Sequence, residues 1–231
     1  MKKFKILTLG LVAVSCLAGC NQNNDVSQED TSITQEDIDK LNRLELGAYL
    51  LTAKEDTTVT KNTSNGSTLQ KVEKGHMTYP FYVVELRDNS ARVTVPGHPV
   101  PDKMWLCVDD FEEITAFKAK KEVKLIVEEV EEDNRKKEIK IAAGTIIPVS
   151  SVMIANSPDS YTTSNPKTLY FRIEDDKSNP LYKKFGNFNL SDFEIIKRPF
   201  KVSKKEVEKF IKTYDAARKD NPDLVPLYES V

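Results

Sequence analysis

Hydrophobic residues follow two patterns along this chain, with helical spacing near both ends and strand-like segments between them. Residues 34–37 (TQED) have the form of a capping box, and Ile38 and Leu41 follow at helical spacing, which predicts a short N-terminal helix. Residues 203–206 (SKKE) repeat the capping pattern and precede an apolar stripe, which predicts an amphipathic C-terminal helix. This stripe consists of Val207, Phe210, Ile211, Tyr214 and Ala217.

Between the two helices, short segments rich in β-branched and aromatic residues are separated by turn signals. The earlier segments are residues 48–53, 57–60, 81–86, 91–95 and 104–108. The later segments are residues 123–130, 138–147, 149–155 and 168–173. This pattern predicts a mainly β fold with flanking helices, in which the strands form two small β-barrel units. We expect the apolar stripe of the C-terminal helix to lie on the second unit.

The first twenty residues have the pattern of an export signal. Three lysines precede an apolar run over residues 6–18, which is too short to cross a bilayer because a spanning helix needs about 20 apolar residues. The run ends in Leu17, Ala18, Gly19 and Cys20. These four residues resemble the lipobox of bacterial lipoprotein precursors and lie where that family has it.

The lipobox resemblance implies cleavage before Cys20 and attachment of acyl chains such as palmitate to its sulfur and its new amino group. One acyl chain holds a protein only reversibly, whereas two or three make attachment stable. The alternative is an ordinary signal peptide with a chance cysteine. The expected location is the cell membrane or, in a source with two membranes, the outer membrane, facing outside the cytoplasm. Residues 20–33 are polar and predict a flexible tether.

Two stretches of the chain resemble each other and suggest an internal repeat. Residues 108–114 (VDDFEEI) and 190–196 (LSDFEII) share Asp, Phe, Glu and the final Ile. Upstream of each, a glycine leads into a predicted strand, at Gly75 and at Gly144. The match indicates either two copies of one small β-fold or a coincidence over seven residues.

Each unit also resembles a bacterial SH3-like domain. In that family a glycine precedes a barrel strand, and a late strand with an aromatic residue leads into the end of the barrel. Gly75 and Trp105 have comparable positions in the first unit, and Gly144 and Phe188 have them in the second. The second unit departs from the family pattern because it lacks tryptophan and carries a long loop.

The SH3-like resemblance implies that an aromatic-lined groove binds an extended peptide. The candidates for the groove of the first unit are Tyr79, Tyr82 and Trp105. The alternative is that these rings belong to the hydrophobic core.

Charge and composition exclude some partners. The 231 residues include 34 basic and 36 acidic side chains, for a formal net charge of −2, and removal of residues 1–19 would take away three more lysines. Nucleic-acid binding needs a basic surface to neutralise phosphates, so we expect no nucleic-acid partner.

The sequence shows no recognisable catalytic or metal-binding motif. Cys107 lies in an apolar strand-like run, which predicts a buried structural thiol, and His76 and His98 follow glycines at turns, which predicts solvated loop residues. The acidic clusters at residues 109–113 and 128–133 lack the spacing of a calcium loop and predict a solvated face or a hairpin tip. We therefore expect no enzyme activity, no cofactor and no metal.

The predicted organisation has five parts. These are a signal peptide (1–19), a tether (20–33), a helix with the first β-unit (34–117), a second β-unit (118–200) and a C-terminal helix with a tail (201–231). The expected function is that of a lipid-anchored, non-enzymatic envelope protein that binds cell-wall peptide or an envelope protein. The alternative is an envelope assembly factor or inhibitor with a single protein partner and no wall affinity. A hydrolase is a third reading, which would need a cleft with converging carboxylates.

Overall fold

The fold is described from a computed structural model of the chain. It describes residues 33–42, 46–61, 66–78, 80–95, 104–129, 136–153, 163–164, 167–174, 176–221, 224 and 227. The described part is mostly β-structure with two α-helices, as the sequence predicted. The lipobox, Tyr79, His98 and the tether lie outside the described residues.

Both predicted helices are confirmed. Helix α1 is Gln35–Asn42 and helix α2 is Lys204–Asp220. At the start of α2, the Ser203 hydroxyl accepts a hydrogen bond from the Glu206 N–H at 3.2 Å, and the Glu206 carboxylate accepts one from the Ser203 N–H at 2.6 Å. This reciprocal capping box satisfies two backbone donors that the helix itself leaves unpaired.

Seventeen strands are described between and beside the helices. The first eight are β1 (Ala48–Tyr49), β2 (Leu51–Ala53), β3 (Thr57–Lys61), β4 (Thr68–Val72), β5 (Met77–Thr78), β6 (Phe81–Arg87), β7 (Ser90–Thr94) and β8 (Met104–Cys107). The next six are β9 (Phe111–Ala119), β10 (Val123–Glu129), β11 (Lys137–Ile141), β12 (Ile146–Pro148), β13 (Val152–Met153) and β14 (Thr163–Ser164). The last three are β15 (Thr168–Ile173), β16 (Lys184–Asn189) and β17 (Phe193–Pro199). Three short 3-10 helices are η1 (Val108–Asp110), η2 (Val149–Ser151) and η3 (Leu190–Asp192).

The strands form three sheets. The first sheet has the order β1-β6-β7-β8-β3-β4, and the second has the order β11-β10-β16-β15-β13. The central sheet has the order β12-β9-β2-β5-β14, and β17 pairs with β9 beside this path. All pairings are antiparallel.

The two halves of the described chain share one topology. The run β6-β7-β8-β3-β4 of the first sheet corresponds strand for strand to β13-β15-β16-β10-β11 of the second. In each half a glycine with positive φ precedes the next strand, Gly75 at +77° and Gly144 at +85°, a conformation that favours glycine. Their N–H groups donate to Ala53 at 2.9 Å and to Ala119 at 2.8 Å. This equivalence is what an internal repeat predicts.

Strand β9 belongs to both halves. Its first residues pair with β2 of the first half, its later residues pair with β12 of the second, and β17 pairs along its other edge. A 3-10 helix precedes the last strand of each half, because η1 leads into β9 and η3 leads into β17. The boundary drawn at residues 117 and 118 therefore falls inside a strand that is part of both halves.

Three apolar clusters fill the structure. The first lies under the first sheet and contains Val59, Phe81 and Leu106, among others. The second lies under the second sheet and contains Phe117, Phe171, Phe188 and Phe193. The third joins α1 and α2 to the outer face of β6.

The structure corrects three predictions. The described sheets are not closed into barrels, because in each half the chain passes from its sheet into the central sheet, where β9 is shared. Helix α2 packs on β6 of the first sheet and on α1 rather than on the second unit, because the aromatic Tyr82 supplies a matching apolar surface there. Residues 149–151 form η2 rather than strand, and of the predicted segment 149–155 only Val152–Met153 (β13) are strand within the described residues.

Candidate functional site

The aromatic residues predicted for a first-unit groove are buried where they are described. Tyr82 is 5% exposed beneath α2, with its ring centre 4.8 Å from that of Phe210 and 5.8 Å from that of Tyr214. Burial and the neighbouring Tyr214 raise the pKa of the Tyr82 phenol. Trp105 is 2% exposed, and the Arg87 guanidinium lies over its ring at 5.2 Å. A cation in this position is attracted by the face of the indole ring.

The described cysteine and histidine have structural surroundings. The Cys107 sulfur accepts a hydrogen bond from the Asn89 amide at 3.4 Å, and burial raises the pKa of this thiol, which disfavours a reactive thiolate. The His76 ring lies 3.2 Å from the Glu73 carboxylate in the turn before β5. Within the described chain, no group of three or more histidine, cysteine, aspartate or glutamate side chains is placed to hold a metal ion.

The acidic cluster after β8 is largely paired within the fold. The Asp109 carboxylate accepts a hydrogen bond from the Asn89 amide at 2.8 Å. Glu113 is 9% exposed, and its carboxylate receives two hydrogen bonds from Arg198, at 2.7 and 2.8 Å. Glu112 forms an ion pair with Lys197. The prediction of a solvated face is therefore wrong for Glu113, whose bidentate pair joins β9 to β17.

A cavity of about 390 Å³ lies on the outer face of the second sheet. We call it the second-unit groove, and its lining includes Ile126, Glu128, Thr168, Tyr170, Phe185 and Asn187. Strand alternation places Val123, Leu125 and Val127 in the core and leaves Ile126 on the opposite face, where it is 53% exposed. The Tyr170 and Phe185 rings lie 6.2 Å apart and are half-buried.

The second-unit groove is open because a short side chain stands where the first unit has tryptophan. The two halves can be aligned from the residue that precedes each 3-10 helix. Cys107 is that residue in the first half and is opposite Ser90, and Asn189 is that residue in the second half and is opposite Thr168. Two residues further along, Arg92 is opposite Trp105, and Tyr170 is opposite Asn187. Asn187 is exposed and does not fill the space that the buried indole occupies in the first unit.

The surroundings of Tyr170 in the groove favour the neutral form of its phenol, and charged side chains of both signs lie near it. Burial raises the pKa of Tyr170, Arg172 opposes this effect, and the carboxylates of Glu128 and Glu174 add to it. The hydroxyl therefore keeps its proton at neutral pH and can donate a hydrogen bond. Lys124 at the rim is paired with Glu138 at 2.8 Å.

A second, more open cavity of about 800 Å³ adjoins the groove at η3. We call it the edge hollow, and it is lined by Lys120, Lys167, Leu190, Phe193, Glu194 and Ile195, together with Asn189 and Ser191. Asn189 also lines the second-unit groove, and its side-chain oxygen accepts a hydrogen bond from the Thr168 hydroxyl at 3.3 Å. The two cavities therefore meet at this residue.

The main groove residues were not predicted as site residues from the sequence. Ile126, Tyr170 and Phe185 all lie in segments whose apolar character predicted core strands or was not interpreted. One signal was present, because residues 123–127 (VKLIV) interrupt strict alternation at Ile126. An apolar residue at an outward position marks surface that solvent or a partner must cover.

Comparisons with known proteins give little support for an identity. No protein-family model matches this chain, and no curated protein is similar to it. Among solved structures, that of NlpC2 from Trichomonas vaginalis is similar with a TM-score of 0.24 and 14% sequence identity. The alignment covers 64% of this chain and 48% of that one, so this chain spans about half of its length. A likeness at this TM-score carries no argument about fold or function.

Neither of the two described helices combines the length and the apolar character needed to cross a bilayer.

Proposed function

We propose that this chain is a lipid-anchored, non-enzymatic protein of the bacterial cell envelope that binds an extended cell-wall peptide in the second-unit groove. The observation that carries the binding proposal is the exposed apolar surface of Ile126, which lines the same cavity as the adjacent rings of Tyr170 and Phe185. The equivalent face of the first unit is filled by Trp105 and Arg87. An open aromatic groove with a few polar groups at its rim is typical of ligand sites.

The anchor proposal rests on the sequence. Leu17, Ala18, Gly19 and Cys20 resemble a lipobox, and the polar residues 21–33 separate the acylated cysteine from the folded part. Mass spectrometry of the N-terminal peptide from the exported protein tests this proposal. We expect an acylated peptide that begins at Cys20, and an unmodified start elsewhere would exclude the anchor.

We also propose that the two units are SH3-like. Two features support this proposal: the glycines before β5 and β12, and the late strands β8 and β16, which carry Trp105 and Phe188 and lead into the last strand of each half. Peptide binding in an aromatic groove is the activity that this resemblance implies.

A pull-down on purified peptidoglycan tests wall binding. We expect the exported protein to be retained and the Tyr170→Ala, Phe185→Ala double variant to lose about tenfold or more of its affinity, because two buried aromatic contacts are removed. Tyr182→Ala is the matched control, since Tyr182 lies in the same unit, is half-buried and does not line the groove. If the unsubstituted protein is not retained on peptidoglycan, the wall-binding proposal is wrong.

The second candidate is an envelope assembly factor or inhibitor with one protein partner. It is favoured by the edge hollow, which adjoins β17, a strand with one edge that no described strand pairs. Crosslinking in intact cells separates the two candidates. One dominant protein adduct, together with no retention on peptidoglycan, would favour this second function.

A further inference from the structure

The last strands of the two halves differ in how their edges are used. In the first half, residues 112–114 of β9 pair with β17 along one edge, through Lys197, Arg198 and Pro199. Residues 111–113 of the same strand pair with β2 along the other edge. In the second half, residues 193–196 of β17 pair with β9, and no strand of the described chain pairs with their opposite edge. Among the described strands, the equivalent edge is therefore occupied in one copy and free in the other.

The edge hollow lies along this free edge. Phe193, Glu194 and Ile195 are consecutive and all line it. Because consecutive side chains of a strand point to opposite faces, a cavity lined by three in a row runs along the backbone edge. Leu190 and Ile195 supply half-buried apolar surface beside the edge. Unpaired strand edges are templates for an added strand, and natural proteins block those that have no partner.

Blocking groups are present in only one part of β17. Lys197, Arg198 and Pro199 stand in its C-terminal half, and lysine and proline are residues that protect an edge from pairing. The N-terminal half, next to the hollow, carries Glu194 as its charged residue. The free edge that remains available is therefore residues 193–196.

The charges around the hollow indicate what kind of strand would fit. Lys120 and Lys167 line the hollow and are both exposed, and Glu194 is the acidic side chain that lines it with them, so the lining has a net positive charge. The Lys120 ammonium donates to the Ser191 carbonyl at 3.0 Å, and neither Lys120 nor Lys167 has an ion pair within the described part of the chain. Antiparallel pairing of residues 193–196 with the same residues of a second copy would place that copy's Lys197 and Arg198 alongside Asp192 and Ser191, close to Lys120. Like charges in this position are unfavourable, so a second copy is a poor occupant.

We propose that the free edge of β17 binds an extended, acidic segment of another protein as an added antiparallel strand. An apolar side chain of the segment packs on Leu190 and Ile195, and its carboxylates lie near Lys120 and Lys167. Backbone hydrogen bonds supply affinity, and the hollow and its lysines supply selectivity, as in other cases of strand addition. This interaction is separate from peptide binding in the second-unit groove.

Synthetic peptides serve as probes for this edge. The first is a nine-residue acetylated peptide with alternating valine and glutamate, and the second has lysine in place of each glutamate. Two further peptides are variants of the glutamate peptide. One is N-methylated at the backbone nitrogens of its odd-numbered residues and the other at those of its even-numbered residues. An added strand uses only one alternate set of its N–H groups, so only one of the two modifications should block pairing. Binding is measured by titration calorimetry, and the site is located by amide hydrogen exchange of the full exported protein.

We expect the glutamate peptide to bind and to slow amide exchange within residues 193–196. Methylation of one alternate set should weaken binding by about tenfold or more, because several backbone hydrogen bonds are lost, and methylation of the other set should leave it nearly unchanged. Lys167→Glu should weaken binding by about fivefold. Lys71→Glu, an exposed lysine on β4 outside the hollow, is the matched control and should have no effect.

Four results would overturn the proposal. The first is no slowing of exchange in residues 193–196 at saturating peptide, and the second is equal binding of the lysine peptide. The third is equal binding of both methylated peptides. The fourth is protection that depends on protein concentration with the mass of a dimer, which would identify a second copy as the occupant. Protection that Tyr170→Ala abolishes and Lys167→Glu does not is a special case of the first result, because it would place the peptide in the second-unit groove and not at residues 193–196.

Discussion

Asp37 is a buried acid that joins the two helices. It is 7% exposed, and the Lys209 ammonium of α2 lies 2.8 Å from its carboxylate. The same carboxylate accepts hydrogen bonds from the N–H group and the hydroxyl of Thr34, at 3.1 and 2.9 Å. These contacts favour the ionised form, and they lower the pKa of Asp37 from 3.8 to about 2 against the opposing effect of burial.

The lowered pKa makes this contact sensitive to acid. Because the folded-state pKa lies below the unfolded value, the stabilisation is fully present above about pH 4 and is lost as the pH falls towards about 2. We expect Asp37→Asn to lower the free energy of unfolding by about 1–2 kcal/mol at pH 7 and by much less at pH 2. Urea unfolding of both proteins at the two pH values measures this difference.

Asp39 provides the control for this measurement. It lies on the same helix, is exposed, and accepts a hydrogen bond from the Gln35 amide without an ion pair in the described structure. Asp39→Asn should change stability by less than about 0.5 kcal/mol at either pH. A deficit in Asp37→Asn that stays constant between pH 7 and pH 2 would contradict the assigned cause.

At the scale of elements, helix α2 is a cover for the outer face of β6. Its apolar stripe contacts Tyr82 and Val84 of that strand, and the ring of Phe210 stacks against Tyr82. Its start depends on the Ser203 and Glu206 capping box, since the first backbone N–H groups of a helix have no partner within it.

Loss of this cap should loosen the cover. We expect Ser203→Ala to destabilise the protein by about 1 kcal/mol, because an N-cap hydroxyl is removed. It should also increase hydrogen exchange in the first turn of α2 before the rest of the chain changes. Ser67→Ala is the control, since Ser67 is exposed and caps no helix. Equal effects of the two substitutions would show that the capping box contributes little.

The elements show where sequence reasoning succeeded. Local signals identified α1 and α2, because capping boxes and apolar stripes are written within a few residues. They failed for β9 and β17, where charged residues interrupt the strand pattern. Those charges are satisfied from more than 80 residues away, as in the pair of Glu113 with Arg198, and no local pattern reveals such a partner.

The position of α2 and the groove were missed for a related physical reason. An apolar stripe indicates that a helix packs against another apolar surface, but it does not indicate which surface that is. The aromatic side chains at Tyr82 and Trp105 predicted a binding face, yet one lies under α2 and the other under Arg87. The open face formed instead where Asn187 leaves the space unfilled, which depends on pairing between distant strands.

At the scale of the whole molecule, the shared strand β9 couples the two halves. It pairs with β2 and β12 on one edge and β17 on the other, so neither half is complete without it. We therefore expect one cooperative unfolding transition. Trp105 fluorescence reports the first half, since it is the sole tryptophan, and hydrogen exchange of β16 reports the second.

A core substitution tests this coupling directly. Phe188→Ala, at a side chain 1% exposed in the second half, should destabilise the chain by about 3–5 kcal/mol and lower the midpoint seen by Trp105 in the first. Phe185→Ala, at the half-buried ring of the groove, should shift it much less. Two separate transitions, with the Trp105 midpoint unchanged, would show that the halves unfold independently.

Strand β9 is the last strand of the first module and also the first strand of the second, and this sharing is a rule by which modules can be added one after another. By this rule β17 has the place from which a third module would begin, as the second begins at β9. The polypeptide instead leaves the sheet after Pro199, buries Phe200, and turns back as a helix onto the first module. Helix α2 thus takes the chain away from the free edge of β17, and its return ties the second module to the first.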